Sequence, residues 1–355
     1  MPPVAVRILH PAPAGDAGPI VRWVAEARSS IAERHRRGFL AAGADDVTVV
    51  GGTPVERSFG ARLRDLLANR STGGLVVLGS GSIPLATAAD RRAFVMTAAG
   101  AGRRALANNR YSADIVAISR VETLPAIPDL EGDNGLPRWL EEVARYEVTD
   151  LHRRWRLAID IDGPTDLVLI GADRPGRAAE ARGIDLRPVS AAIDAIRRTG
   201  ADPRAELVVA GRTSAATLAW LERSTASRTR ALIEERGLRT SAAGQRPPTS
   251  VIGALLDRDG PGSLGGHLAR LGDAAIVDSR VLMAHRSGAD ERAWPPPEDR
   301  FASDLLLADQ IADSWLRELT ASVVAAPIPI LLGGHTVVGP GVRFLLGRPR
   351  SARWR

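Results

Sequence analysis

The 355-residue chain has no cysteine, which excludes disulfides, thiolate metal centres, iron–sulfur clusters and cysteine nucleophiles. It has no lysine either, so all 47 of its Lys+Arg positions are arginine. That removes Schiff-base chemistry, the lysine anchor of pyridoxal phosphate and the P-loop lysine. Aromatic residues make up only 4%, poor material for stacking platforms on single-stranded nucleic acid. The longest apolar stretch, 321–334, contains Pro327 and Pro329 and falls short of the ~20 residues of a membrane span. The start, Met1-Pro2-Pro3 before a short strand-like run, shows no secretory pattern. A cytoplasmic protein with no membrane partner is the expectation.

What is present is ordinary globular material, 45% hydrophobic and 25% charged. The length suggests two domains at roughly 150 residues each. Net charge is 47 − 41 = +6, with the arginines spread along the chain apart from a short tail, 343–355. A modest, dispersed excess argues against nucleic acid as the partner. It suits a small anionic ligand, a nucleotide or phosphorylated small molecule.

The first half alternates strand and helix patterns. Strands are predicted at Val4 to Leu9, Val47 to Val50, Gly74 to Leu78, Ile115 to Ile118 and Leu157 to Ile161. Helices are predicted at Ile20 to Ala42, Phe59 to Asn69 and Ala88 to Ala99. This order predicts an α/β fold with a mainly parallel twisted sheet and helices on both faces. Ligands in such sheets sit at the carboxyl ends of the strands, so the loops after Leu9, Leu78 and Ile161 are the candidates. A shift to Gly, Arg and Ala over 171–183 marks a boundary between a domain 1–172 and a mainly helical second domain 184–355. In the second domain the reading gives a helix from Val189 to Thr199, a strand from Glu206 to Ala210 and helices over Ser214 to Leu221 and Ser227 to Glu235. A strand from Ala274 to Val277 and a long helix from Ser303 to Ala325 follow. A helix of the last kind packs a core or a dimer seam, which leaves a homo-oligomer open.

Two segments carry the chemistry. In the first, a buried strand runs into Gly79-Ser80-Gly81-Ser82-Ile83-Pro84-Leu85-Ala86-Thr87, with Thr87 placed to cap the following helix. In the second, Asp160-Ile161-Asp162-Gly163-Pro164-Thr165-Asp166-Leu167, two carboxylates end a strand. Alternation puts Asp160 and Asp162 on one face, about 6–7 Å apart.

These segments resemble the nucleotide-diphospho-sugar transferase fold, and within it small nucleotidyltransferases of the 2-phospho-L-lactate and molybdenum cofactor guanylyltransferase type. Gly81-Ser82-Ile83-Pro84-Leu85-Ala86-Thr87 is similar to that family's Gly-Asp-x-Pro-Leu-Leu-Thr, and Asp162-Gly163-Pro164-Thr165-Asp166-Leu167 to its Thr-Pro-Glu-Asp-Leu segment. The stretch Asn108-Asn109-Arg110-Tyr111-Ser112-Ala113-Asp114 looks like the acceptor-side loop. The resemblance covers about residues 4–170. It implies nucleotide contacts at Gly79, Ser80, Gly81 and Ser82, and acceptor contacts at Asn108, Asn109, Ser112 and Asp114. It also implies a catalytic Mg2+ on Asp162 and Asp160, and transfer of a nucleotidyl group to a phosphorylated or carboxylated acceptor.

The chain departs from the family in two places. The Gly-rich loop after the first strand is replaced by His10-Pro11-Ala12-Pro13-Ala14-Gly15, leaving Arg22 or Arg28 as phosphate partner. At the first metal position Ser82 stands for a carboxylate, a weaker Mg2+ ligand. A non-catalytic nucleotide-binding or assembly protein is therefore the alternative function. Each motif also has a plainer reading: Asp162 as a turn or capping residue, Gly79–Gly81 as an empty turn, and Asn108 and Asn109 as turn residues. Gly260-Pro261-Gly262-Ser263-Leu264-Gly265 fits the letters of a dinucleotide fingerprint but lacks its strand and acidic partner. His335 sits in a Gly-flanked loop where backbone can approach a ligand. No G-x-S-x-G elbow is present.

Overall fold

A computed structural model describes residues 2–52, 57–68, 73–171, 178–236, 238 and 246–347. The chain divides into two compact units. The first holds the residues up to Gly15 and Ala25–Ile161; the second holds Asp16–Val24 and the described residues from Asp162 to Leu238 and from 246 onward. The division falls between Ile161 and Asp162, ahead of the Gly/Arg/Ala stretch, of which 172–177 lie outside the described residues.

The first unit is built on β1 (Val4–Leu9), β2 (Asp46–Val50), β3 (Gly74–Gly79), β4 (Arg104–Ala107), β5 (Ile115–Ile118) and β6 (Glu147–Asp150). They form one six-stranded sheet in the order β2-β1-β3-β5-β4-β6. The sheet is mixed rather than mainly parallel: β5 runs antiparallel to both β3 and β4. The helices are α1 (Pro19–Ala41), α2 (Phe59–Ala68), α3 (Ala88–Ala98) and α4 (Leu136–Glu142).

Strand alternation sends side chains to two cores. Val4, Val6, Ile8, Val76 and Leu78 pack with Ala32 and Phe39 of α1 and Phe94 and Val95 of α3. Ala5, Leu75, Val77, Val116 and Ile118 pack on the other face with Phe59 and Leu63 of α2 and Leu136, Trp139 and Leu140 of α4. Burial on both faces is why these strands read as continuous apolar runs.

Three expectations are corrected. Leu157 to Ile161 is not a strand: Trp155–Ala158 is a short 3₁₀ turn, and a single bridge joins Asp160 to Ser82. Asp90 holds both ends of this turn, its carboxylate accepting from Arg154 Nη1 at 2.7 Å and from Arg156 Nη2 at 2.7 Å, while Leu157 N donates to Arg154 O at 2.7 Å. Ser227 to Glu235 is not a helix but contains β8 (Arg228–Ile233). Its exposed Arg228 and Arg230 alternate with half-buried Thr229 and Ala231, the pattern of a charged edge strand. The long helix from Ser303 to Ala325 is two helices, Pro297–Asp304 and Ser314–Val324. Leu306 has a positive φ of 62°, and Asp313 starts the second helix by accepting from Leu316 N at 2.8 Å.

The second unit is more than helical. Strands β7 (Glu206–Gly211), β8, β9 (Ala274–Asp278) and β10 (Ile330–Gly333) form a four-stranded sheet, order β10-β9-β7-β8, in which every pair is parallel. The Gly260 motif lies in a turn and a short helix, Leu264–Ala269, with a helix rather than a strand before it. Among the described residues no helix is long and apolar enough to cross a membrane.

Candidate functional site

In the first sheet the chain leaves β1 toward β2 on one side and β3 on the other. Such a reversal opens a crevice at the carboxyl ends of the two neighbouring strands. A cavity of about 250 Å³ lies there, lined by Leu9, Arg28, Arg62, Gly79–Ser82, Asp114, Asp133 and Asp160 among others. Two arginines, three carboxylates and a Gly/Ser turn thus share one small chamber.

The turn after β3 is fixed atom by atom. Ser80 N donates to Leu9 O at 2.9 Å, and Ser82 N donates to Gly79 O at 3.2 Å. The segment after Ala158 pairs with it: Ile83 N donates to Ile159 O at 3.1 Å, and Ile161 N to Gly81 O at 3.2 Å. Ser82 and Asp160 are therefore partners across a bridge. Gly81 is required for this approach, because a Cβ there would lie 3.0 Å from both Asp160 Oδ1 and Ile161 O and 3.3 Å from Arg28 Nε. Ile83, fully buried, takes a positive φ of 43°. A non-glycine residue in that region costs about 1–3 kcal/mol and is held there only by its surroundings.

The surroundings are basic. His35 of α1 is wholly buried and its Nε2 lies 2.8 Å from Ser82 O. Its Nδ1 faces Arg91 Nη2 at 3.5 Å, so the tautomer that suits both is Nε2–H donating to Ser82. Burial first, then the Arg91 charge, push its pKa down to about 3, so the ring is neutral at ordinary pH. Arg34 donates to Pro84 O at 2.8 Å. Arg28 Nε donates to Ile161 O at 2.7 Å. His10, which replaces the Gly-rich loop at the end of β1, lies with Nδ1 3.0 Å from Ser80 Oγ. Burial, and then Arg28, lower its pKa.

The candidate residues divide accordingly. Gly79, Ser80, Gly81, Ser82, Asp114 and Asp160 line the cavity. Asn108 is a brace behind it: Nδ2 donates to Asp114 Oδ2 at 2.7 Å and to Leu157 O at 2.9 Å, and Oδ1 accepts from Asp114 N at 2.9 Å. Asn109 Oδ1 accepts from Tyr111 N at 2.9 Å, a turn contact, and Ser112 is exposed. Arg22 and Asp162 belong to the second unit. There Asp162 Oδ2 lies 3.7 Å from His335 Nδ1.

The carboxylate that caps the helix Pro164–Ile170 is Asp166 rather than Asp162. Its Oδ2 accepts from Asp162 N at 2.9 Å and Gly163 N at 2.8 Å. Burial, reinforced by the Asp162 charge, raises the Asp166 carboxyl well above its usual range. The sequence held a signal for this in Pro164 at the first helical position with an acid two residues later. The brace role of Asn108 and the buried His35 had no such signal.

Among the described residues no group of three His, Asp or Glu side chains could hold a metal ion. Mg2+ is commonly held by one or two carboxylates together with substrate phosphates and waters. Asp160 on the cavity wall is a carboxylate of the kind that such an ion takes. No family model matches the chain, and no curated protein is significantly similar to it.

Proposed function

We propose that the first unit binds a nucleoside triphosphate, or a nucleotide-activated small molecule, at the carboxyl ends of β1 and β3, as a nucleotidyltransferase does. The observation that carries this reading is the Ser82–Asp160 bridge on the cavity wall. It joins the motif after β3 to the acidic segment, and Arg28 and Arg62 line the same chamber. Guanidinium groups bind phosphate oxygens as a fork and stay charged at any working pH. In the transfer, an oxygen of a phosphorylated or carboxylated acceptor attacks the α-phosphorus as the bond to the β-phosphate oxygen breaks and pyrophosphate leaves. The chain contributes positioning and charge compensation: the Gly79–Ser82 turn against the nucleotide, Arg28 and Arg62 on phosphate oxygens, and Asp160 toward the divalent ion. Mg2+, when bound with the nucleotide, offsets phosphate charge.

A second reading, nucleotide binding without catalysis, is favoured by Ser82 at the position of a carboxylate and by the lack of a three-ligand metal group among the described residues. Thermal shift with each nucleoside triphosphate, with and without Mg2+, separates the two, since a bound ligand raises apparent stability by mass action. Metal-dependent shifts with pyrophosphate release are expected of the enzyme. Shifts indifferent to metal and without turnover are expected of the binder, and no shift with any nucleotide contradicts both.

A further inference from the structure

β1 and β3 run parallel with Leu9 opposite Gly79, so the next residues along the two strands, His10 and Ser80, come side by side at the carboxyl edge of the sheet. Backbone bonds set both in place: Ser80 N donates to Leu9 O at 2.9 Å, and His10 N donates to Val50 O at 2.9 Å. His10 Nδ1 then lies 3.0 Å from Ser80 Oγ. Ser80 is 3% exposed and belongs to the wall of the cavity.

The histidine of this pair is kept uncharged. Burial lowers its pKa, and Arg28, on the same cavity wall, lowers it further. A protonated ring would add to the pull that Arg28 and Arg62 exert on phosphate; a neutral ring offers a lone pair instead. That lone pair has no task when a phosphate or carboxylate oxygen attacks, because such groups arrive ionised. A hydroxyl must give up its proton as it attacks, and it needs a base within hydrogen-bond reach. The pair at the end of β1 and β3 suits that second kind of acceptor.

We propose that His10, acting through Ser80, is the base for a hydroxyl acceptor, so that the acceptor is an alcohol carrying a phosphate or carboxylate group and the product is a phosphodiester. The inference rests on the nucleotidyl-transfer reading of the same cavity. The acceptor hydroxyl passes its proton to Ser80 Oγ as Ser80 passes its own to His10 Nδ1. The acceptor oxygen bonds to the α-phosphorus, the bond to the β-phosphate oxygen breaks, and pyrophosphate leaves. His10 then returns the proton to water.

The test is pyrophosphate release from the four nucleoside triphosphates in Mg2+, with probe acceptors taken in pairs: glycolate against acetate, and glycerol 3-phosphate against methyl phosphate. Release is expected with at least one hydroxyl-bearing member, ten times faster or more than with its counterpart. His10→Gln and Ser80→Ala should lower kcat at least tenfold while nucleotide affinity, by calorimetry, stays within twofold. Added imidazole should restore release in His10→Gly. Equal rates within both pairs would make the attacking oxygen an ionised one and overturn the proposal. So would undiminished release in His10→Gln, no rescue by imidazole, or a loss of affinity that matches the loss of rate, which would leave His10 a support of the turn. Nucleotide binding without release from any pair overturns the proposal and leaves nucleotide binding standing; no nucleotide binding at all overturns both.

Discussion

Gly81 and His35 hold the two sides of the Ser82 turn, one by having no side chain and the other by a hydrogen bond from beneath. Gly81→Ala places a methyl 3.0 Å from a carboxylate oxygen and a backbone oxygen, so the Asp160 segment must move away by a few tenths of an ångström. Nucleotide affinity is expected to fall tenfold or more by calorimetry, with a small change in melting temperature. Unchanged affinity would separate Gly81 from the ligand. His35 gives a pH dependence with a definite sign. Its pKa is 6.5 ordinarily and about 3 in the fold. Between those values the unfolded chain binds a proton that the native ring refuses. Stability therefore falls as pH drops from 6.5 toward 3, by about 1.4 kcal/mol per pH unit at most. Urea unfolding at pH 7 and pH 4.5 should show a shallower fall for His35→Gln than for the wild type; equal falls would contradict a neutral buried ring. The Gly/Ser turn was legible in the sequence because turn residues declare their backbone. His35 was not, because a histidine on the inner face of a helix looks like any core position until the opposing carbonyl is known.

At the scale of elements, Asp90 joins the start of α3 to the segment that leads to Asp160. It completes a capping box with Thr87 and holds Arg154 and Arg156, while its own side chain is fully enclosed. Burial pushes the carboxyl up, but hydrogen bonds from Arg156, Thr87 and Arg154 outweigh it and bring the group to about 2. The stabilisation is thus complete above the ordinary value of 3.8 and is lost as pH falls toward 2. Breaking a fully buried pair costs about 3–5 kcal/mol. These arginines are 40% and 32% exposed, so Asp90→Asn is expected to cost less, about 1–3 kcal/mol at pH 7, by urea unfolding. Nucleotide affinity should fall with it as the Asp160 segment loosens; a variant as stable as the wild type would contradict this. The same network explains why LAIDI reads as a strand and folds as a turn: local β propensity yields to ion pairs with a residue 64 positions earlier. β4 and β6, four residues each, are too short for periodicity to mark. β8 reads as a helix because arginine is a good helix former, and its alternation at the sheet edge is what marks the strand.

At the scale of the molecule, the alternation of elements in the first half correctly announced an α/β sheet with helices on both faces, and the reversal of strand direction at β5 was invisible because it depends on which strands pair. The second half hid its parallel sheet behind short or edge strands among many helices. Its carboxyl edge carries a buried pair, Arg280 with Asp304, in which two oxygens accept at 2.6 Å each. The Asp304→Ala change strands the Arg280 charge and is expected to cost about 3–5 kcal/mol, measured by urea unfolding of the whole chain. A loss under 1 kcal/mol would mean water reaches the guanidinium. The central claim, however, concerns the first unit, and one measurement tests it most directly: calorimetric titration of the wild-type chain with the four nucleoside triphosphates in Mg2+, repeated with Arg62→Gln. Saturable binding of at least one nucleotide, weakened tenfold or more by Arg62→Gln, is the predicted result. No saturable binding of any nucleotide, or binding indifferent to Arg62, would contradict it.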